Sequence, residues 1–357
     1  MPCLTGPGDL EAGPRSYYQV AGTWKTALLS KRVRVLALLC LLLIGVQFLA
    51  RNLAPLSFAR TPVASNTTRD SGVDWSRFAY AQYTTDEAYL CNALMVFETL
   101  QRLETKPDRI LLYPNSWSID VTPPDSKARM LLKARDEFRV KLRPITVIRE
   151  SRDLTWGSSF TKLLAFNQTD YQRVLSIDSD STILQSMDEL FLLPHAPVAM
   201  PRAYWLDNTL SSTLMLIEPS RVEFSRIETA IKEKGQNDFD MEIVNTLYKD
   251  HCLVLPHRPY NILSGEFRGT NHSRYLGSEQ ETWDPEKVLA EAKLVHFSDW
   301  PYPKPWIEAT DQQTEERMPE CTIVGPSGEE DCRAQKIWLW LYEDFRQRRK
   351  KICGEGV

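Results

Sequence analysis

Val174-Leu175-Ser176-Ile177-Asp178-Ser179-Asp180 is a largely apolar run that ends in a pair of acidic residues. Its length and composition are those of a buried strand, and the aspartates follow at the strand's carboxyl end. Because alternate residues of an extended chain point to the same side, the carboxylates of Asp178 and Asp180 can face one cation together. The run therefore predicts a buried strand that carries a metal site at its end.

Strand and helix patterns alternate on both sides of this run. Predicted strands cover residues 78–83, 109–113, 140–148, 173–177 and 214–217, and predicted helices cover 86–104, 126–138, 161–166, 238–248 and 334–353. Such alternation predicts an α/β fold with a mainly parallel, Rossmann-like sheet flanked by helices. Ligands of such sheets bind at the carboxyl ends of the strands, where we expect Asp178 and Asp180.

The segment His296-Phe297-Ser298-Asp299-Trp300-Pro301-Tyr302-Pro303-Lys304-Pro305-Trp306 supplies an imidazole and an ammonium. Two carboxylates with one imidazole suit Mn²⁺ best, whereas Mg²⁺ prefers oxygen ligands throughout. A metal held by Asp178, Asp180 and His296 can stabilise the charge of a departing nucleoside diphosphate, and Lys304 can add a second positive charge. Each piece alone has a plainer interpretation, as a helix cap, a core histidine or a rigid turn. Together they favour a sugar transferase that uses Mn²⁺ or Mg²⁺.

The two segments resemble the Asp-x-Asp and His-x-x-Gly-x-x-Lys-Pro-Trp signatures of glycosyltransferase family 8, the glycogenin-like transferases. The resemblance covers residues 78–306. Within the family, Tyr89-Leu90-Cys91-Asn92-Ala93 and Asn167-Gln168-Thr169-Asp170-Tyr171 are most similar to the fungal Golgi branch of N-acetylglucosaminyltransferases. The resemblance implies a GT-A fold, a UDP-sugar donor, a glycan or glycoprotein acceptor, and retention of the anomeric configuration. It also implies N-acetylglucosamine as the donor sugar.

The resemblance further implies which residues contact the donor. Residues 79–89 are similar to the family's first strand and nucleoside-binding loop, whose residues surround the uracil and the ribose. Phe160-Thr161-Lys162-Leu163 is similar to a helix whose lysine approaches the donor. The implied donor contacts are Tyr83, Thr85, Asp86, Tyr89, Lys162, Asp178, Ser179 and Lys304.

Asp240-Met241-Glu242-Ile243-Val244-Asn245-Thr246 is similar to the family segment that lies beside the reacting sugar. The implied catalytic residues are Asp240 and Glu242, with Lys304 at the leaving group. Either carboxylate can steady the cationic sugar or form a transient covalent bond, whereas attack on the face from which UDP departs needs no protein nucleophile. We prefer same-face attack with Asp240 as a positioning group. The plainer interpretation of both acids is a solvated helix start.

Two segments depart from the family pattern. The spacer between His296 and Lys304 is longer than in the signature and lacks its glycine, so this loop must bulge. Ser211-Ser212-Thr213 replaces the Asn-Ser-Gly that usually precedes the strand at residues 214–217. The part of the site nearest the donor sugar therefore differs from the family pattern.

The composition agrees with one sizeable catalytic domain. The chain has 357 residues, of which 43% are hydrophobic, and a formal net charge of −4. A chain of this size can bury a complete α/β core, and its charge balance shows no signature of nucleic-acid binding. The sequence does not indicate an oligomeric state.

The N-terminal residues predict a membrane anchor. Residues 35–50 form an apolar run preceded by Lys25, Lys31, Arg32 and Arg34. This run is short, because a span normally needs about 20 residues. A cleaved signal peptide and a buried helix are the alternatives, but the polar stretch ahead of the run is long for a signal peptide. Since basic residues stay cytosolic and short spans favour thin membranes, we predict a single-pass type II Golgi protein with a luminal catalytic domain.

The predicted organisation follows from this anchor. Residues 1–34 form a cytosolic tail, 35–51 the transmembrane anchor, 52–74 a stem, 75–310 the catalytic domain and 311–357 a C-terminal extension. In the extension, an apolar stripe predicts a helix that docks on the catalytic domain, although its basic end could instead lie on an anionic membrane. The stripe consists of Ile337, Trp338, Leu341, Tyr342 and Phe345.

Cysteines and glycosylation triplets bear on the predicted luminal orientation. Of seven cysteines, Cys321 and Cys332 flank a short loop and are the predicted disulfide, whereas Cys91, Cys252 and Cys353 are not placed by the sequence. Acceptor triplets for N-linked glycans begin at Asn66, Asn167 and Asn271.

Two hypotheses from other functional classes stay open. Asp178-Ser179-Asp180-Ser181-Thr182 also matches the Asp-x-Asp-x-Thr pattern of aspartyl phosphotransferases, in which the first aspartate is the nucleophile. That pattern belongs near the start of its domain, whereas here a long α/β sequence precedes it. The other hypothesis is a luminal protein that binds a nucleotide sugar or glycan without turnover. Metal-dependent release of UDP would separate all three.

Overall fold

The computed structural model describes residues 72–148, 159–324 and 328–354. The chain divides into two units between Asn66 and Thr67, and all described residues belong to the second unit. The predicted tail and anchor, and most of the predicted stem, lie outside the described residues. Every helix within the described ranges is too short or too polar to span a bilayer. The anchor and the domain boundaries therefore stay predictions.

Strands and helices alternate along most of the described chain. In chain order they are β1 (Phe78–Tyr83), α1 (Glu87–Arg102), β2 (Asp108–Pro114), α2 (Ser126–Asp136), β3 (Val140–Ile145), β4 (Arg173–Ile177), β5 (Ser181–Ile183), β6 (Val198–Pro201), β7 (Leu214–Ile217), α3 (Arg221–Glu233), α4 (Asp240–Tyr248), β8 (Leu253–Leu255), α5 (His257–Tyr260), β9 (Ile262–Leu263), α6 (Ser273–Leu276), α7 (Pro285–Glu291), β10 (Leu294–His296), α8 (Asp311–Arg317), β11 (Thr322–Val324), β12 (Glu329–Asp331) and α9 (Arg333–Cys353). Short 3₁₀ helices cover Trp75–Arg77, Ser159–Asn167, Asp188–Leu192 and Ser264–Arg268.

The main sheet has seven strands in the order β3-β2-β1-β4-β7-β6-β8. Its strands pair in parallel except at β7, which runs antiparallel to both β4 and β6. The predicted α/β fold with a mainly parallel sheet flanked by helices is confirmed. Because β4 lies in the middle of this sheet, the residues that follow it stand at the centre of the carboxyl edge.

The main sheet is buried on both faces. In β1, Phe78 and Tyr80 point to one hydrophobic core, and Ala79 and Ala81 point to the other, as the alternation of a strand requires. Helices α1, α2 and α9 pack on the first face, and α3, α4 and the 3₁₀ helix Ser159–Asn167 pack on the second. Burial on both faces explains why β1 and β4 consist mainly of apolar residues.

Several elements differ from their predicted form or bounds, three of them near the site. The predicted helix at residues 161–166 is a 3₁₀ helix, and the predicted strand at 140–148 ends at Ile145. Helix α1 begins after Asp86, because the Asp86 carboxylate accepts the backbone N–H of Tyr89 and so caps the helix. These shifts leave the position of the predicted site unchanged.

A second sheet, with the strand order β5-β10-β9, adjoins the end of β4. Strand β10 runs antiparallel to β5 and parallel to β9. We did not predict these strands, because β5 and β10 have 3 residues each and β9 has 2, too few to show a hydrophobic period. This small sheet carries His296 to the end of the main sheet.

The C-terminal helix α9 packs on the core that also contains α1 and α2. The five residues of the predicted stripe, Ile337, Trp338, Leu341, Tyr342 and Phe345, are buried in this core. A disulfide joins Cys353, the last residue of α9, to Cys91 in α1. The predicted Cys321–Cys332 disulfide also forms, and Cys252 is the unpaired cysteine among residues 72–148, 159–324 and 328–354.

Candidate active site

The predicted carboxylate pair lies where the two sheets meet. Asp178 directly follows β4, and its backbone N–H donates to the carbonyl of Thr213 at 2.9 Å. Asp180 directly precedes β5 of the small sheet, and its carbonyl accepts the N–H of Phe297 at 2.9 Å. The segment Asp178-Ser179-Asp180 is therefore held at both ends by backbone hydrogen bonds. Ser179 is buried between the two acids.

Strand register brings His296 to this pair. His296 ends β10 and lies opposite Ser181, the first residue of β5. Its Nε2 is 3.3 Å from Oδ2 of Asp180. A residue far along the chain thus reaches the acids because an antiparallel pair of strands fixes its position.

Asp178, Asp180 and His296 can each offer one ligand atom, and these atoms lie within 4.8 Å of one another. Oδ1 of Asp178 is buried, and the ammonium of Lys162 lies 2.7 Å from it. The oxygens and the imidazole also match the ligands expected for Mn²⁺. The residues present therefore fit a divalent metal.

Two lysines stand on either side of the carboxylates. Lys304 Nζ donates to Asp180 Oδ2 at 2.8 Å and also to the carbonyl of Phe297. Lys162 Nζ is 2.7 Å from Asp178 Oδ1 and 2.8 Å from Asp240 Oδ2, and it donates to Asp178 Oδ2 at 2.9 Å. The side chain of Lys304 is 34% exposed and that of Lys162 only 4%. Lys304 can therefore meet an incoming anion, whereas Lys162 is a buried counter-ion of the acids.

The three site carboxyls, Asp178, Asp180 and Asp240, differ in the direction in which their surroundings shift the pKa. Burial raises the pKa of Asp178 to about 6, and nearby Lys162 only partly opposes this effect. Burial also acts on Asp180, but Lys304 and His296 outweigh it and hold the pKa of this carboxyl well below its usual range. Asp240 likewise keeps a lowered pKa against burial, mainly because of Lys162. Asp180 and Asp240 are thus ionised near neutral pH. Of the three carboxyls, Asp178 has the pKa closest to neutral pH.

The residues implied to bind the nucleoside lie at the end of β1 and directly after it, beside β4. Tyr83 ends β1, Thr85 is half-buried, and Asp86 caps α1 by accepting the N–H of Tyr89 at 3.0 Å. The ring of Tyr89 meets that of Trp306 edge to face, with centroids 5.4 Å apart. Burial raises the pKa values of Tyr83 and Tyr89. The nearby carboxylates raise them further, and the positive charge of Lys162 opposes both effects. All four residues thus lie at the same sheet edge as Asp178.

The two acids of α4 have different surroundings. Asp240 is buried, and its Oδ2 accepts a hydrogen bond from Ser212 Oγ at 2.7 Å. Glu242 Oε2 instead accepts the backbone N–H of Phe239 at 2.9 Å, which caps its own helix. The interpretation of a solvated helix start is therefore wrong for Asp240. The carboxylate of Glu242, by contrast, is engaged away from the cluster formed by Asp178, Lys162 and Asp240.

No family model matches the chain. A protein of Aspergillus fumigatus named glucose N-acetyltransferase 1 is 48% identical over 300 residues, which cover 79% of this chain and 78% of that protein. The chain belongs to the glucose N-acetyltransferase 1 family. Its relative of that name from Gibberella zeae is 53% identical over 294 residues, covering 79% of this chain. Of the Gibberella protein's own length, 63% is covered.

Similarity also extends beyond fungi. A protein of Arabidopsis thaliana named UDP-glucuronate:xylan alpha-glucuronosyltransferase 2 is 30% identical over 268 residues. The aligned part is 75% of this chain and 41% of the plant protein. The glucose N-acetyltransferase 1 family thus shares sequence with a protein named for a sugar transfer.

Ser211-Ser212-Thr213, the segment that differs from the glycosyltransferase family 8 pattern, lies at the site. Ser211 Oγ donates to Thr213 Oγ1 at 3.0 Å, whereas Ser212 donates to Asp240 and its carbonyl lies 3.5 Å from Lys162 Nζ. Ser212 is therefore a site residue that we did not predict. The signal in the sequence was the replacement of Asn-Ser-Gly by Ser211-Ser212-Thr213, directly before the strand that pairs with β4.

Asp299 is a second residue that we did not single out. It lies in the loop between His296 and Lys304, and its carboxylate accepts hydrogen bonds from four side chains. The donors are Ser264, Arg268, Trp338 and Tyr342. The only local signal was an acidic residue within an aromatic and proline-rich segment.

Proposed function

We propose that this protein transfers a sugar, with N-acetylglucosamine as the preferred one, from a UDP-sugar to a glycan or glycoprotein acceptor. The observation that carries the proposal is the convergence of Asp178, Asp180 and His296, with Lys304 bonded to Asp180. Homology to transferases implies a sugar donor and an acceptor, and the plant relative's name includes a UDP-sugar. Membership of glycosyltransferase family 8, with its GT-A fold and its fungal Golgi branch, is part of the proposal.

The name of the fungal relatives mentions an N-acetyl group and glucose, so acetyl transfer is the second candidate. Acetyl groups are usually transferred from a thioester, and the leaving group of that reaction is a thiol, which carries little charge. A UDP leaving group carries much more negative charge, which a metal and a lysine stabilise well. The cluster of Asp178, Asp180, His296 and Lys304 therefore favours transfer of the whole N-acetylated sugar.

Asp178, Asp180 and His296 would hold Mn²⁺ or Mg²⁺. A bound ion of this kind would offset the charge that develops on departing UDP. Lys304 is partly exposed and bonds Asp180, so it can exchange this partner for a diphosphate oxygen. Because these charges stabilise the leaving group directly, no acid needs to donate a proton to it.

Tyr83, Thr85, Asp86 and Tyr89 form the proposed uridine end of the site. Tyr89 offers a ring face for the base, since its edge-to-face contact with Trp306 fixes the ring. Asp86 is exposed and already accepts a backbone N–H, and its second oxygen can accept from a ribose hydroxyl.

Asp240 is the proposed positioning group at the sugar. Lys162 and Ser212 both bind its Oδ2, so the carboxylate has a fixed orientation beside Asp178. This arrangement suits a hydrogen-bond acceptor for a sugar hydroxyl and supports same-face attack by the acceptor. Lys162 keeps Asp240 ionised, which favours the cationic character that the sugar develops.

The test is a donor screen with the purified full-length chain in detergent. UDP release should require Mn²⁺ or Mg²⁺ and should be fastest with UDP-N-acetylglucosamine. Asp180→Ala and His296→Ala should lose activity while their circular dichroism stays unchanged. Full turnover by either variant would contradict the proposal.

The same screen separates the other hypotheses. Acetyl transfer from acetyl-coenzyme A without UDP release would support the second candidate. A phosphorylated Asp178, with inhibition by beryllium or aluminium fluoride, would indicate a phosphotransferase. Tight UDP binding with neither transfer nor hydrolysis would indicate a binding protein.

We further propose that the protein resides in the Golgi membrane as a single-pass type II protein with a luminal catalytic domain. The support is the basic and apolar N-terminal sequence, together with glycosylation triplets at Asn167 and Asn271, whose side chains are exposed. Immunofluorescence of the tagged protein with Golgi and endoplasmic-reticulum markers tests this location.

A further inference from the structure

Asp299 is a fully buried acidic residue in the loop that carries His296 and Lys304. Its side chain is 0% exposed. Oδ1 accepts from Arg268 Nε at 2.9 Å, and Oδ2 accepts from Ser264 Oγ at 2.6 Å. Oδ2 also accepts from Trp338 Nε1 at 3.1 Å and Tyr342 Oη at 2.7 Å. Four donors therefore converge on one carboxylate.

These donors come from two other parts of the chain. Ser264 and Arg268 belong to the 3₁₀ helix Ser264–Arg268, which lies in the segment after β9. Trp338 and Tyr342 lie one turn apart on α9. The Asp299 carboxylate thus joins the loop between His296 and Lys304 to the C-terminal helix and to the 3₁₀ helix Ser264–Arg268.

The packing around Asp299 is tight. A Cβ placed on Gly265 would lie 2.8 Å from Asp299 Oδ1 and 2.9 Å from the carbonyl of Ser298. Ser264 Oγ also accepts the N–H of Ser298 at 3.2 Å. The loop is therefore held through its backbone as well as through the carboxylate.

Helix α9 also reaches the nucleoside end of the site. Phe345 packs on Trp306, with ring centroids 5.9 Å apart, and Trp306 contacts Tyr89. Arg349 donates to the carbonyl of Ala88 at 3.0 Å. The same helix therefore contacts the segments that carry Tyr89, His296 and Lys304.

We propose that Asp299 is a positioning residue, which fixes the loop from His296 to Lys304 on helix α9 so that the metal ligand and the diphosphate lysine keep their places. This inference rests on the proposed function. A buried charge stabilises a fold poorly compared with apolar residues of similar size, whereas it sets a geometry well because each of its hydrogen bonds is directional. Asp299 touches neither the proposed metal nor the donor, and it acts through the backbone on both sides of it.

Two matched variants test the role. Tyr342→Phe removes one donor to Asp299 and keeps the ring. Tyr248→Phe is the control, because Tyr248 is also buried and donates to Glu223 at 2.7 Å on the opposite face of the sheet. The measurements are Mn²⁺ titration with UDP present, amide hydrogen exchange over residues 297–304, thermal unfolding, and KM and kcat for the UDP-sugar.

Tyr342→Phe should weaken Mn²⁺ binding about tenfold and speed amide exchange in residues 297–304, since groups that orient metal ligands commonly affect affinity by about 10- to 100-fold. KM for the UDP-sugar should rise more than kcat falls. Tyr248→Phe should lower thermal stability without changing Mn²⁺ binding or exchange in this loop. Asp299→Asn should weaken Mn²⁺ binding and speed amide exchange in residues 297–304 more than Tyr342→Phe does.

Equal Mn²⁺ affinity and equal loop exchange in Tyr342→Phe and the wild type would overturn the inference, whatever the loss of thermal stability. A failure of the proposed function looks different. In that case the wild type would show no metal-dependent UDP release, and the exchange comparison, which needs no turnover, would still decide whether Asp299 fixes the loop.

Discussion

Removing the Cys91–Cys353 disulfide should destabilise the protein more than removing the Cys321–Cys332 disulfide. The two bonds close loops with sequence separations of 262 and 11. In the loop-entropy model, bonds of these lengths stabilise the fold by about 5–6 and about 3 kcal/mol. The difference of about 3 kcal/mol depends only on the ratio of the loop lengths.

Cys353→Ala and Cys332→Ala are the matched perturbations, because each removes one bond and leaves the other cysteine of the pair in place. Urea unfolding of both variants and the wild type, followed by tryptophan fluorescence, gives the free energies of unfolding. Cys353→Ala should also raise KM for the UDP-sugar, since α9 contacts Trp306 and the first turn of α1. An equal or larger loss of stability in Cys332→Ala would refute the loop-length reasoning.

Four further predictions concern ionisation, catalysis, helix capping and membrane orientation. The pKa of Asp178 is about 6 in the folded protein and 3.8 ordinarily. Between pH 3.8 and about 6 the metal-free folded protein therefore binds more protons than the unfolded chain. Its free energy of unfolding should fall as the pH rises through this range. Asp178→Asn should flatten that slope in thermal melts with EDTA, and an unchanged slope would assign it to another group. Asp240→Asn should lower kcat by more than about a hundredfold, given the low dielectric of its buried position. Glu242→Gln should instead cost about 1 kcal/mol in unfolding free energy as a weakened helix cap, with kcat within about twofold of the wild type, and a large kcat loss would return Glu242 to the catalytic set. Asn167→Gln and Asn271→Gln should each remove an endoglycosidase-sensitive mass from the protein expressed in fungal cells, and no mass change in either would argue against a luminal domain.

Local patterns were sufficient to predict much of the main sheet. Residues 78–83 and 173–177 were predicted as strands with the bounds that the structure has, because burial on both faces makes such strands mainly apolar. The direction of β7 was not predictable in this way. Its sequence, Leu214-Met215-Leu216-Ile217, shows the same apolar run whether the strand is parallel or antiparallel to β4.

The site was predictable where a residue's place follows from a strand end or a recognisable motif. Asp178 needed only the end of β4, whereas the approach of His296 depends on pairing between β5 and β10, which are too short to be identified. The partners of Asp299 lie on other elements, so no local window contains them. The role of Glu242 had a signal that we did not use, since a glutamate at the third position of a helix often caps it.

The ion pair between Lys304 and Asp180 has a consequence for the order in which ligands enter. A cation that arrives alone must compete with an ammonium that already neutralises its oxygen ligand. A cation that arrives with a nucleotide brings diphosphate oxygens, which give the displaced ammonium a new partner. Metal and nucleotide should therefore bind cooperatively, and each should increase the affinity of the other by the same factor.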